Sequence, residues 1–509
     1  MCYPTPAVAA VQQAIPNSCP AKALPPSQRL QIGLQALAGT QTITDLAVEF
    51  DVSRKFVARQ AATAQAALAD AFDSPAADNE VLFHLPVTKT WLRQATLALT
   101  LICHSSYRGV IEFWRDLFGV RMAVGTVHNI HQDAVPRARA WNRQQKLANV
   151  RFAGLDEIFQ NQRPVLVGAD IASTYCFLLS SDAHRDGETW GIRLLELADR
   201  GFAPEATIAD FGNGIRAGQK LAMPNTPCRG DIFHALNEII PVVTYLDNRA
   251  YETITVRDKL ERKKSKLKQR GRRNQVHELQ AISRKVVLAA KAEAKAVALA
   301  DDVALLTRWL RFDIFAVSGL CYADRCALFD FVLAELKARA DLCPHRLTPV
   351  CTLLTNHRDQ LLAFAAQLDR DLANLAAEFQ VPVDIVRQLL DLQGSDSRQP
   401  LRWQQEAVLR QKLRNHFHHL SAAVRDLADQ VVRASSVIEN INSRLRNYFF
   451  LRRHLGQDYL ALLQFFLNHR RFQRSEHPER VDKSPAELLS GQSHPHWLEM
   501  LGYTRFSRN

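Results

Sequence analysis

The stretch that decides the fold is residues 150–180, which read VRFAGLDEIFQNQRPVLVGADIASTYCFLLS. It contains three short apolar or alternating runs, at residues 151–159, 164–170 and 175–180, and turn residues separate them. Alternation with a period of two is typical of strands that bury one face, and short apolar runs are typical of strands that bury both. Because the three runs follow one another closely, we predict three antiparallel strands in succession.

The pattern then switches between the helical period and further strands. Residues 189–200 form an amphipathic pattern that ends at Gly201, which favours a helix with a glycine at its C-terminus. Residues 206–210 and 228–233 are short apolar runs, and a second short helix separates them. The predicted order is therefore β-β-β-α-β-α-β. We expect an α+β multidomain protein with this mixed α/β sheet at its core.

The composition excludes several classes of protein. The chain has 509 residues, enough for about three domains of ~150 residues, and 47% of them are apolar. Its longest apolar runs reach about half of the roughly 20 residues of a membrane helix, and no signal-like segment opens the chain, so we expect a cytoplasmic protein without membrane contact. The net charge of +12 favours a polyanionic partner such as nucleic acid.

Three short helices are predicted in residues 27–75, after a proline-rich flexible tail at residues 1–26. A turn at Asp51 and Val52 joins the second helix to the third, and Ser53 is placed as the N-cap of the third. This is helix-turn-helix spacing, and it predicts a DNA-binding domain. The residues expected to face DNA are Ser53, Arg54, Lys55, Arg59 and Gln60.

A second helical block covers residues 80–145. Its predicted helices lie on either side of a turn at Gly119 and Val120, so the layout of the first block is repeated. We expect a second, helix-turn-helix-like DNA-binding domain here.

The remainder of the chain divides into a core and an insertion. Residues 150–240 are expected to form the first part of the sheet-bearing core. Long amphipathic stretches rich in Ala and Leu predict an all-helical insertion over residues 241–428. Residues 429–475 return to the core with a further helix, and residues 476–509 are expected to be a C-terminal tail.

Two predicted strands carry a carboxylate in an apolar setting, where a charge is costly unless it is paired or binds a cation. Asp156 lies in the first strand and Asp210 ends the fourth. On adjacent strands the two carboxylates would lie close together, and their repulsion would favour capture of a hard dication such as Mg²⁺. Glu439, on an amphipathic helix, is the candidate for a third ligand. Glu406 and Glu238 are the alternatives to Glu439.

Several blocks of sequence resemble bacterial insertion-sequence DDE transposases, in which a helical insertion interrupts a ribonuclease H-like core. The blocks are the Asp156 strand, DFGNGIRAG at residues 210–218, the Asp231-x-x-His234 motif, and the Glu439 helix leading to NHRR at residues 468–471. The resemblance covers most of the chain. The 229 residues that separate Asp210 from Glu439 require a large insertion.

The resemblance implies an activity and the residues that perform it. Asp156, Asp210 and Glu439 would hold two Mg²⁺ ions, with Mn²⁺ as a substitute, about 4 Å apart for in-line cleavage and strand transfer. No covalent enzyme intermediate is needed, which disfavours serine and tyrosine recombinases. Two DNA ends are cut in concert, so a homo-oligomer is expected. Asp231 is an alternative to Asp210 as second ligand. The residues expected to support the site are Asp231, His234, Asn442 and Arg446.

A strongly basic segment favours double-stranded DNA as the partner. Ten of residues 257–273 are Lys or Arg against two acids, a density that neutralises many phosphates. Trp309 and Trp403 resemble tryptophans that insertion-bearing transposases stack on a flipped base, although core packing is the favoured role for both. The further residues expected at DNA are Lys263, Lys264, Lys266, Lys268, Arg272 and Arg444.

Two other functions stay open on the sequence. A domesticated or inactive relative would keep the DNA-binding helices and act as a regulator, but the acidic trio is intact here. A nuclease with a ribonuclease H fold would cut DNA without joining it.

Overall fold

The computed structural model describes residues 24–72, 83–270, 276–395, 399–433, 436–451 and 455–506. Arg272 and residues 1–23 of the expected tail lie outside these ranges. The chain forms two compact units, the first ending at Pro86 and the second beginning at Val87. Within the described ranges, no helix combines the length and the apolar character that crossing a membrane requires.

Among the described residues of the first unit, three helices bury a small apolar core. Ile32, Leu46 and Val57 are fully buried between them. Ser53 caps the third helix, because its Oγ accepts a hydrogen bond from the backbone N–H of Phe56 at 3.1 Å. The predicted turn and cap are therefore present. The helices are α1 Pro26–Ala38, α2 Ile43–Glu49 and α3 Arg54–Phe72.

The second unit is built on one five-stranded mixed sheet of order β3-β2-β1-β4-β5. Strand β2 runs antiparallel to both β1 and β3, as the closely spaced runs predict. Strand β4 pairs with β1 in parallel, and β5 pairs with β4 in parallel. The expected α+β class with a mixed sheet is confirmed. The strands are β1 Phe152–Gln160, β2 Arg163–Asp170, β3 Cys176–Ser181, β4 Ala206–Ala209 and β5 Cys228–Gly230.

Two helices connect the strands in the predicted order, but the last strand is shorter than predicted. The run at residues 228–233 predicts a strand to Phe233, whereas β5 ends at Gly230 and a helix begins at Ile232. The reason is Asp231, whose Oδ1 accepts a hydrogen bond from the N–H of Phe233 at 2.7 Å and so starts the helix. The connecting helices are α7 Gly187–Leu195 and α8 Asn213–Ala222.

Helices from distant parts of the chain cover one face of the sheet. Val165 and Phe465 are fully buried in the core that these helices share with the strands. A Cβ atom at Gly154 would come within 2.7 Å of Ile438, so this glycine lets a helix approach the strand that carries Asp156. The helices are α4 Lys89–Leu101, α6 Val124–Gln144, α16 Ser436–Phe450 and α17 Gln457–His469, with α5 Tyr107–Phe118 packed beside α4 and α6.

Helices α7 and α8 cover the opposite face, where Leu155, Trp190 and Ile215 are fully buried. The segment expected as a C-terminal tail is folded, because Trp497 and Leu501 insert into the core on the first face. Its helices span only six and four residues, too few to show a helical period in the sequence. These helices are α18 Pro485–Ser490 and α19 Trp497–Met500.

The described residues between β5 and α16 are mainly helical, as predicted. Its first helix begins at Ile232 against the sheet and continues unbroken past residue 240, where the insertion was expected to start. Trp309 packs against the core of the insertion, whereas Trp403 is 63% exposed, so core packing is wrong for Trp403. The helices are α9 Ile232–Arg270, α10 Val276–Trp309, α11 Tyr322–Arg339, α12 Pro344–Glu378, α13 Val383–Gly394, α14 Pro400–Leu413 and α15 Phe417–Gln430.

One cation is buried inside the insertion. Arg325, on α11, is 1% exposed, and burial lowers its pKa to about 10, so it stays charged at neutral pH. The guanidinium group satisfies the carbonyl groups of the loop between α10 and α11. Its acceptors, at 2.5 to 3.4 Å, are the carbonyl oxygens of Asp313, Ile314, Ala316, Val317, Ser318 and Leu320.

Removing this guanidinium tests whether it organises the loop. Arg325→Met leaves six carbonyl groups without their donor, so we expect the free energy of unfolding to fall by about 3 kcal/mol or more. We also expect faster amide hydrogen exchange across residues 310–321, measured by mass spectrometry. Arg284→Met, at an exposed position on α10, is the control. Unchanged exchange in the loop would contradict this role.

Candidate active site

Asp156 and Asp210 lie at the same level on adjacent parallel strands. Strands β1 and β4 are paired with Leu155 opposite Ala209, so the next residue on each strand is the aspartate. Residues in register on parallel neighbours point to the same face of the sheet. Asp156 is 5% exposed, and Asp210 is half-buried with its Oδ1 accepting from the N–H of Gly212 at 2.9 Å.

The environment of Asp156 disfavours its charged form. Burial raises the pKa of Asp156 to about 7, and the negative charges of Asp210 and Glu439 add to this rise. A hydrogen bond from the N–H of Glu157, at 2.7 Å, and the nearby imidazole of His234 lower the pKa in part. A divalent cation would take the place of the proton and relieve the repulsion among the carboxylates.

Glu157, the next residue of β1, has partners that Asp156 lacks. Glu157 faces the other side of the sheet, where its Oε1 accepts from Trp190 Nε1 at 2.8 Å. Its Oε2 forms an ion pair with Arg185 at 2.9 Å. Of the two adjacent acids, Glu157 is thus neutralised by the protein itself, whereas Asp156 has no Arg or Lys partner among the described residues.

Helix α16 brings two predicted residues to Asp156. Glu439 and Asn442 are one helical turn apart, so they share a face of the helix. Asn442 is 1% exposed, and its Nδ2 donates to Asp156 Oδ2 at 2.7 Å. In the described part of the chain, the Oδ1 of Asn442 has no hydrogen-bond donor. A buried amide oxygen without a donor is costly, so a water or cation beside Asp156 would satisfy it.

His234, in the first turn of α9, completes the cluster. One ligand atom each of Asp156, His234 and Glu439 lies within 4.8 Å of the others. The Nε2 of His234 is 3.5 Å from Glu439 Oε1, and its Nδ1 is 3.4 Å from Asp231 Oδ2. A carboxylate behind an imidazole fixes the orientation of the ring. The fully buried Asp231, which caps α9, lies behind the ring, but the Nδ1 of His234 has no hydrogen-bond partner among the described residues.

The alternative acids lie apart from this cluster. Glu406 forms an ion pair with Arg410 on α14 at 2.7 Å, and Glu238 is exposed on α9. Among the residues that the structure describes, neither belongs to the group of ligand atoms that contains Asp156. Arg446, seven residues after Glu439, is exposed to solvent.

The residues predicted to contact DNA lie mostly on exposed surfaces. In the first unit, the side chains at the start of α3 are exposed apart from the half-buried Gln60. At the end of α9 they are exposed apart from the half-buried Lys264. The exposed residues in these two sets are Ser53, Arg54, Lys55, Arg59, Lys263, Lys266 and Lys268.

A cleft of about 1410 Å³ opens beside α16, and Arg444 is one of its lining residues. The sequence did not predict this cleft, because its other lining residues come from segments that are far apart in the chain. Only the clustering of arginines after Glu439 in the sequence gave a signal for part of it.

Comparison with known proteins does not assign the chain to a family. No family model matches the chain, and no curated protein matches its sequence. The function is therefore inferred from the site itself.

A neutral replacement of Asp156 tests the cost of its charge. The folded-state pKa of about 7 lies above the ordinary 3.8, so the folded protein holds this proton more tightly than the unfolded chain. Stability is then lost as the pH rises from about 4 to 7, by up to about 4 kcal/mol, and the loss persists at higher pH. Asp156→Asn avoids this loss.

We therefore expect Asp156→Asn to be more stable than wild type at about pH 8 in EDTA, with a difference that shrinks towards pH 4. Urea unfolding at several pH values measures this difference. Asp301→Asn, at an exposed site on α10, is the control and should show no such trend. A stability difference independent of pH would contradict the assignment.

Proposed function

We propose that the chain is a DDE-type DNA transposase, which binds the ends of a mobile element and cleaves and joins DNA with Mg²⁺. The observation that carries the proposal is the cluster of Asp156, His234 and Glu439, which Asn442 joins through its hydrogen bond to Asp156. Asp210 follows the neighbouring parallel strand β4, and its negative charge contributes to the raised pKa of Asp156. The proposed setting is the bacterial cytoplasm, where chromosomal DNA is the substrate.

The strand order supports the proposal. Three antiparallel strands followed by two parallel ones, in the order β3-β2-β1-β4-β5, are what a ribonuclease H-like core requires. In this arrangement the first and fourth strands are neighbours, so the carboxylates of Asp156 and Asp210 point to the same face of the sheet. The helix that returns after the insertion then delivers the third carboxylate.

The donor set fits a hard divalent cation. Carboxylate and amide oxygens from Asp156, Asp210, Glu439 and Asn442 are ligands that Mg²⁺ and Mn²⁺ accept. When bound, two such ions would activate the attacking hydroxyl group and stabilise the leaving oxygen of an in-line displacement.

The protein positions these ligands through named contacts. Asn442 holds the carboxylate of Asp156 through its Nδ2 hydrogen bond, while the N–H of Glu157 holds the other oxygen. Asp231 lies 3.4 Å behind the Nδ1 of His234, and the Nε2 of His234 lies 3.5 Å from Glu439 Oε1. The buried setting of Asp156 strengthens its attraction to a cation.

The charged surfaces support DNA as the substrate. Exposed cations at the start of α3, among them Arg54 and Lys55, suit the phosphates and base edges of an element end. The exposed lysines at the end of α9 add a second basic surface. Because two ends are cut in concert, the proposal includes a homo-oligomer with one active site for each end.

A cleavage and strand-transfer assay on DNA that carries the native element ends tests the proposal. We expect Asp156→Ala, Asp210→Ala and Glu439→Ala each to lose at least about 100-fold in activity with Mg²⁺, because each removes a ligand. End binding should be retained. Glu406→Ala, which removes an acid outside the cluster, is the matched control and should stay active.

The other outcomes are equally definite. If wild type binds the ends but neither cuts nor joins with any divalent ion, the chain is a DNA-binding regulator. If it cuts without joining, it is a nuclease. An active Glu439→Ala variant would show that the third ligand lies elsewhere.

A further inference from the structure

The cleft of about 1410 Å³ lies on the other side of the helix that carries Glu439. Its lining includes Val437, Asn440, Ile441 and Arg444, which follow the helical period and so form one face of α16. The adjacent face of α16 directs Asn442 to Asp156. Since a helix with its side chains is about 10–12 Å across, the cleft reaches to within one helix width of the candidate active site.

The lining of this cleft is strongly cationic. Seven arginines and two acids, Asp429 and Glu476, line it, so its net charge is +5. Arginines elsewhere, such as Arg193 and Arg358, each contact two carboxylates. Within the described ranges, by contrast, no arginine of the cleft forms an ion pair. The seven are Arg311, Arg402, Arg425, Arg433, Arg444, Arg474 and Arg480.

One of these arginines also has a buried donor without an acceptor. The Nε of Arg402 is buried and has no hydrogen-bond partner among the residues that the structure describes. An unpaired donor on a cation costs more than one on a neutral group. Phosphate oxygens suit the guanidinium groups that line the cleft, because one guanidinium group can donate two parallel hydrogen bonds to them.

Aromatic rings stand between the arginines. Phe233, Phe312, Phe472 and His477 line the cleft. Phe312 is 61% exposed and Phe233 is 41% exposed, although burial of such rings is favourable. Exposed rings next to arginines are the combination that binds single-stranded nucleic acid, because bases stack on the rings while phosphates meet the cations.

The size of the cleft separates the possible ligands. Its volume exceeds the roughly 300–1,000 Å³ of ordinary small-molecule sites, so it accommodates a larger ligand. Duplex DNA presents charge continuously, about one per 1.7 Å of its axis, and needs an extended open surface. A cleft with five excess positive charges and exposed rings instead matches a few unpaired nucleotides.

We infer that the cleft beside α16 binds a short single-stranded segment of DNA. The phosphates lie on the arginines, and bases stack on Phe312 and Phe233. The inference deepens the proposed function and rests on it, because it identifies the DNA next to the catalytic helix as locally unpaired. Binding itself requires no chemistry and is measurable in EDTA.

The test uses the full chain and a fluorescent oligothymidylate of about 10 nucleotides, within the roughly 4–16 nucleotides of known single-strand sites. Fluorescence anisotropy gives its affinity at several salt concentrations in EDTA. The logarithm of the affinity falls with the logarithm of salt by about 0.7 for each neutralised phosphate. A triple variant, Arg311→Gln, Arg425→Gln and Arg474→Gln, changes three exposed positions of the cleft. The magnitude of its salt slope should therefore be smaller than that of wild type by about 2.

The charge-matched control removes three exposed lysines outside the cleft. The variant with Lys220→Gln, Lys291→Gln and Lys412→Gln should keep the wild-type slope. A further variant, Phe312→Ala, should weaken binding about tenfold without changing the slope, since it removes a stacking surface and no charge. Thermal unfolding of each variant verifies that it is folded, and Phe312→Ala tests the cleft independently of the arginines.

Equal slopes for the cleft variant and the lysine control would overturn the inference, as would a wild type that binds no oligothymidylate. Duplex DNA that loses as much affinity as the single strand in the cleft variant would also overturn it, in favour of a duplex site. The experiment distinguishes failure of this inference from failure of the proposed function. Binding in the cleft without strand transfer would contradict only the proposed transposase activity. Strand transfer with equal slopes would contradict only the inferred single-strand site.

Discussion

The close approach of α16 to β1 is the contact on which the site depends. Gly154 has no side chain, and this leaves room for Ile438 directly above the strand. Asn442 then reaches Asp156 across 286 residues of sequence and donates a hydrogen bond to it. Glu439 comes near Asp156 only because the helix lies in this position. A long helical insertion is compatible with the site as long as α16 returns to the same place on the sheet.

The charged residues differ in whether the protein itself supplies their partners, and this difference separates structural residues from those available to a ligand. Glu157 forms an ion pair with Arg185 and accepts a hydrogen bond from Trp190, and the guanidinium group of Arg325 donates hydrogen bonds to carbonyl groups of its own loop. Among the described residues, Asp156 has no Arg or Lys partner and the arginines of the cleft form no ion pair, although Asn442 donates to Asp156 and Arg433 donates to the carbonyl oxygen of Phe315. Charges of opposite sign without an ion-pair partner therefore lie on the two sides of α16, as the proposed reaction on DNA would require.

Much of the core followed from the sequence, because its signals are local. The first three strands show as short runs, and the pairing of Asp156 with Asp210 follows once their strands are neighbours. The predicted strand continues past Asp231 because Ile232 and Phe233 are apolar, although aspartate is favoured at helix N-caps and depleted in strands. The arginines of the cleft come from segments far apart in the chain, and only tertiary folding brings them together.

The most direct measurement of the central claim is the location of divalent ions at the site. Crystals of the chain grown with Mn²⁺ and examined by anomalous diffraction would locate each ion. We expect manganese peaks about 2.0–2.2 Å from carboxylate oxygens of Asp156 and Glu439, with Asp210 within ligand distance of one of them. Manganese bound only elsewhere, with these carboxylates free of any ion, would contradict the account.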